Sequence, residues 1–138
     1  MAVISPTSSN FRQGANSTVA TGTAGESINA FDLVYLKTSD GKYWKAVNTT
    51  AAESIVAGVA ATNASADDQI VVVPPGGSIE SSSALWTKGY TYILGDTGNE
   101  GKMMDAADIT AGQYVTVVGT AESTTVFQFI VTATGLTG

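Results

Sequence analysis

The chain contains no histidine and no cysteine, so any chemistry it performs must rest on carboxylates. A Ser-His-Asp triad, a His- or Cys-ligated zinc site and thiol chemistry all need residue types that are missing. General acid–base work at neutral pH most often uses histidine. Three carboxylate pairs lie close in sequence: Asp67-Asp68, Asp105 with Asp108, and Glu26 with Asp32. Paired carboxylates can hydrolyse glycosidic bonds. Each of these pairs falls where a turn or loop is expected, and Asp favours turns because its side chain bonds nearby backbone. The segment Asp96-Thr97-Gly98-Asn99-Glu100 is rich in oxygen but lacks the spaced acidic ligands of a helix–loop–helix calcium site, and reads as a hairpin loop. Gly76-Gly77 has no nearby Lys and no following helix, so it reads as a turn rather than a phosphate-binding loop. Trp44 and Trp86 could stack on a sugar ring, although packing in the core or between subunits is the simpler use of such rings. The residues therefore point to no catalytic, cofactor-binding or metal-binding site. Trp44, Trp86, Asp67 and Asp68 stand as candidate subunit or surface contacts.

The elements that would position these residues are strands. Asp32 to Lys37 is apolar, β-branched and aromatic, turns at Ser39-Asp40-Gly41, and returns as Lys42 to Val47. Two such runs joined by Asp-Gly form a strong hairpin signal. Ile55 to Ala60 and Gln69 to Val73 follow, the latter stopped by Pro74-Pro75-Gly76-Gly77. Tyr90 to Leu94, Lys102 to Met104, Gln113 to Thr120 and Thr125 to Val131 continue the pattern. Residues 49–53 could form one helical turn, and no longer stretch has helical periodicity. The expected fold is all-β: a compact β-sandwich or β-barrel of about 8–9 short strands. It would have two similar halves, about 25–79 and 80–133. Val34-Tyr35-Leu36 lies over Tyr92-Ile93-Leu94, Gly41-Lys42 over Gly101-Lys102, Val56 to Ala60 over Val117 to Ala121, and Ile70 to Val73 over Phe127 to Ile130.

At 138 residues the chain is long enough for one domain with a real core. Hydrophobic residues make up 43% of it and charged residues only 13%, so the polar surface is mostly hydroxyl and amide. Such a surface can meet a partner without stripping water from ions. Six basic residues stand against twelve acidic ones, for a net charge of −6. Nucleic-acid binding needs a basic stripe, and none is present. The first residues lack the pattern of a signal peptide, and no run approaches the ~20 apolar residues of a membrane helix. The expectation is a soluble protein made in a cytoplasm, with no nucleic-acid or membrane partner. Residues 1–20 are small and polar and read as an extended arm ahead of a β domain at 21–138, with Val3, Ile4, Phe11 and Arg12 as anchors onto a partner.

Two stretches carry a wider resemblance. Gly25-Glu26-Ser27-Ile28-Asn29-Ala30-Phe31-Asp32-Leu33-Val34-Tyr35-Leu36 leads into Asp40 to Ala46, Ile55 to Ala60 and Gln69 to Val73 before Gly76-Gly77. Ala111 to Val115 and Val118 to Ala121 continue the cadence. Over residues 22–133 this resembles the capsid cement, or head decoration, proteins of tailed bacteriophages. The resemblance implies a structural virion protein on the outer face of an assembled shell, made in the host cytoplasm. It also implies binding as a homotrimer that clamps neighbouring major capsid protein subunits, with trimerisation in some cases needing the shell. Rival readings are a phage fibre or receptor-binding β module, a carbohydrate-binding module presenting several aromatics on one face, and a carboxylate enzyme.

Overall fold

In the computed structural model, residues 3, 4, 6–14, 17–96, 98–108 and 112–137 are described, with the backbone alone at 108, 133 and 135–137. The fold is all-β, as expected, with two antiparallel sheets packed as a sandwich. Among the described residues eleven strands replace the expected eight or nine: β1 (Phe11–Gln13), β2 (Ala20–Thr23), β3 (Leu33–Lys37), β4 (Lys42–Lys45), β5 (Gly58–Ala60), β6 (Gln69–Val73), β7 (Gly77–Ser81), β8 (Thr91–Leu94), β9 (Met103–Asp105), β10 (Tyr114–Ala121) and β11 (Val126–Thr137). The additions are β1 and β2, from polar sequence, and β7, which starts within the Gly76-Gly77 turn. The stretch expected as a helical turn is one, held by the Ser54 N–H donating to Thr50 O at 3.2 Å.

One sheet has the order β2-β6-β5-β3-β4 and the other β1-β7-β11-β10-β8-β9. Raising each label of the first sheet by five gives the second without its extra strand β1. The registers agree as well. Leu36↔Tyr43 and Val34↔Gly58 in one sheet match Leu94↔Met103 and Tyr92↔Gly119 in the other. Gly22↔Ile70 matches Ile79↔Phe127. The sheet edges are closed alike: Gly25 N–H donates to Tyr43 O at 2.7 Å beside β4, and Ile4 N–H donates to Met103 O at 3.1 Å beside β9. The structural halves therefore run from β2 to β6 and from β7 to β11.

The main core lies between the sheets and includes Leu33, Tyr35, Val59, Trp86, Tyr92, Leu94, Phe127 and Phe129. A second cluster of Ile28, Val34, Ala60, Ile70 and Val72 fills the curl of the first sheet. A single parallel bridge, Ala24↔Tyr43, brings the edge after β2 against β4 without closing a barrel.

The described residues of the expected arm, 1–20, are bound to the domain rather than standing off it. Val3 bridges Met104, and Phe11 is a core residue of β1, which pairs with β7. Polar composition hid this because three-residue strands need only one apolar anchor each, and the neighbouring strand supplies the hydrogen bonds.

Candidate functional site

Most of the candidate carboxylates are occupied locally. Asp67 sits at φ 70 and pairs with Lys42 Nζ at 2.6 Å on the surface. Asp68 is exposed, and its carbonyl accepts from Ala24 N–H. Glu26 accepts the Lys45 N–H at 2.9 Å, and Asp32 accepts the Asn29 N–H at 2.9 Å. Burial raises the Asp32 carboxyl above its ordinary pKa, against the pull of the Asn29 hydrogen bond and the Lys45 and Lys102 charges. Asp105 accepts the Ala107 N–H, while the Asp108 side chain lies outside the described residues. In the 96–100 loop, Asp96 accepts from the Asn99 amide and Glu100 from the Gly98 N–H, and Thr97 lies outside the described residues. No group of three or more metal-ligating acids occurs among the described residues.

The four arm residues divide. Val3 and Ile4 are partly buried along β9. Phe11 is buried and unavailable to a partner in this conformation. Arg12 folds back, donating to Phe11 O at 2.7 Å and Ser9 O at 3.0 Å. Its guanidinium thereby caps an edge carbonyl that would otherwise invite strand pairing.

The two tryptophans also differ. Trp86 is 3% exposed and stacks on Phe127 at 5.2 Å, so it is a core residue. Trp44 is half-buried; its Nε1 donates to Asp40 Oδ2 at 3.1 Å, and Lys37 Nζ lies 4.6 Å from its ring centroid.

The feature that sequence reading missed is a groove of about 610 Å³ beside the far end of β3. Leu36, Ala52, Ile55 and Ala57 form its walls, with Lys37 and Glu53 among the lining residues. Leu36 is 48% exposed and Ile55 60% exposed, an unusual combination for two large aliphatic side chains on one concavity. The charges are engaged: Lys37 lies over Trp44, and Glu53 accepts from Thr50 Oγ1 at 2.7 Å. The signal in the sequence was Leu36 and Ile55 themselves, which a strand-by-strand reading assigns to the core.

No family model matches the chain, and the curated proteins include no significant match to it. The groove is an apolar concavity whose two charged lining residues are engaged within the chain.

A second exposed feature is the far part of β11. The β7 pairing ends at Phe129↔Gly77, so from Ile130 onward β11 has β10 on one side and no strand among the described residues on the other. Residues 124–138 contain no charged side chain, and Ile130 is 60% exposed.

Proposed function

We propose that this chain is a structural virion protein that binds the outer face of an assembled tailed-phage capsid and stabilises it by clamping neighbouring major capsid protein subunits. The observation that carries this reading is the exposed aliphatic groove at Leu36 and Ile55 on a β scaffold. A groove with engaged charges meets a protein surface without the desolvation cost of stripping ions. The sequence resemblance over residues 22–133 supplies the identity of that surface. Homotrimer formation, in solution or on the shell, is part of the same reading, and the uncharged overhang of β11 is the edge offered for it.

A carbohydrate-binding module finds less support. Trp86 is buried, and the Lys37 ammonium lies over the Trp44 ring where a sugar would stack. The test is co-sedimentation: the purified chain is mixed with empty expanded heads of the parent phage and pelleted. Saturable co-pelleting at a fixed ratio to the major capsid protein supports the reading, and a chain left wholly in the supernatant refutes it.

A further inference from the structure

The repeated architecture provides an internal comparison for the groove. The matched registers make Leu36 of β3 the counterpart of Leu94 of β8. In the first sheet, the Ala46 N–H donates to Leu33 O and the Gly41 N–H to Lys37 O, so Leu33, Tyr35 and Lys37 face β4. Alternation then turns the main-chain groups of Leu36 the other way, toward the groove. On that side β5 bonds only as far as Val34 O, which accepts the Ala57 N–H at 2.8 Å. The Leu36 N–H and C=O have no partner among the described residues.

The corresponding place in the second half is filled. Beyond the point where β10 leaves β8, residue Asn48 enters from the first half. Its N–H donates to Gly95 O at 3.2 Å, its carbonyl accepts the Tyr114 N–H at 2.9 Å, and its Nδ2 reaches Leu94 O at 3.4 Å. Ala46 and Val47, just before it, are buried. Leu94, a main-core residue whose carbonyl Asn48 reaches, is 1% exposed, whereas Leu36 beside the open groove is 48% exposed.

We infer that the Leu36–Ile55 groove takes an extended segment of the shell subunit, which hydrogen-bonds the open main-chain groups of Leu36 much as the Asn48 side-chain amide reaches Leu94 O in the second half. The inference rests on the capsid reading. Its occupant is an uncharged stretch of two small apolar residues followed by an amide-bearing one, the chemistry of Ala46-Val47-Asn48. Strand addition supplies affinity from backbone hydrogen bonds and register from the side-chain pockets.

The experiment is head co-sedimentation with the full chain and two variants. Ile55→Asp puts a charge in the groove, and Val19→Asp puts one on a comparably exposed aliphatic position just ahead of β2 as a control. Ile55 is exposed, so its variant should keep the wild-type circular dichroism and melting temperature. The expected result is about a tenfold or greater loss of head affinity for Ile55→Asp, with the control within about threefold of wild type. Photo-crosslinking from benzoylphenylalanine at position 55 should join the chain to the major capsid protein. If wild type binds heads and Ile55→Asp binds as tightly, the groove inference is overturned while the capsid reading stands. If wild type does not bind heads at all, both fail.

Discussion

The rings of Phe11 and Phe31 meet edge to face, with centroids 4.9 Å apart and planes at 72°. This contact ties the first strand to the loop ahead of β3, and the chain of rings continues through Trp86 at 6.3 Å to Phe127. Phe31 holds φ 79, a conformation costly for a bulky residue. Its backbone is fixed by its N–H donating to Ala60 O at 2.8 Å and its ring by the neighbours on either side. Phe11→Ala should therefore destabilise the domain by about 3 kcal/mol, the usual cost of removing a buried phenyl ring. Denaturant unfolding measures it; a change below about 1 kcal/mol would favour reading residues 1–20 as a detachable arm.

The strands that could be read from sequence were those with runs of β-branched and aromatic residues, such as Leu33 to Lys37 and Gln69 to Val73. Their alternation or continuous apolarity follows from having one or both faces buried. The pairing of Val34-Tyr35-Leu36 with Tyr92-Ile93-Leu94, Gly41-Lys42 with Gly101-Lys102 and Ile70 with Phe127 was legible because equivalent strands bury equivalent faces. What was illegible was set by partners distant in sequence. Ala20–Thr23 is a strand because β6 lies beside it, and Phe11 is core because Phe31 is. The groove was hidden for a related reason. Leu36 looks like a core leucine until the early departure of β5 leaves it uncovered.

Gly119 marks the bulge where β10 shifts register between Val117 and Gly119. Its φ is 155, and a Cβ there would run into Gln128 O and lie 2.8 Å from the Phe127 ring. Both obstacles are held inside the sheet, one of them backbone, so neither can yield cheaply. Gly119→Ala should cost roughly 2 kcal/mol or more, against a much smaller cost for Gly41→Ala in the open β3–β4 turn, where the strain is in φ alone. Equal melting temperatures for the two variants would contradict this account of the bulge.

Asp32 gives the stability a pH signature. Desolvation raises its folded-state pKa, outweighing the Asn29 hydrogen bond and the Lys45 and Lys102 charges, while Glu26 pushes in the same upward direction. A carboxyl raised in the folded state favours folding while it is protonated. That contribution is complete below the unfolded carboxyl pKa and is lost as pH rises through the folded one. Asp32→Asn removes the loss and keeps an oxygen for the Asn29 N–H. The melting temperature of the variant relative to wild type should therefore rise between acid and neutral pH. A relative melting temperature that falls over the same range would mean that the lysine charges dominate.

The overhang of β11 should govern self-association. Three strand edges carry local protection: Ile4 lies along β9, Gly25 and the Glu26 carboxylate along β4, and the Arg12 guanidinium caps the Phe11 carbonyl on β1. Natural sheets block their edges in such ways because an open edge recruits other strands. Beyond Phe129 no strand among the described residues pairs with β11 on its β7 side, and residues 124–138 carry no charged side chain to repel a second copy of a chain with net charge −6. An open, uncharged strand edge is a place where a copy can add. Light scattering at high concentration should give about three times the 14.0 kDa chain mass. Thr132→Lys places a charge on an exposed position of β11 and should shift the population toward monomer, leaving the unfolding free energy of the monomer within about 0.5 kcal/mol of wild type. A wild-type chain that is monomeric both in solution and on heads would refute the trimer. A trimer indifferent to Thr132→Lys would place its contacts away from β11.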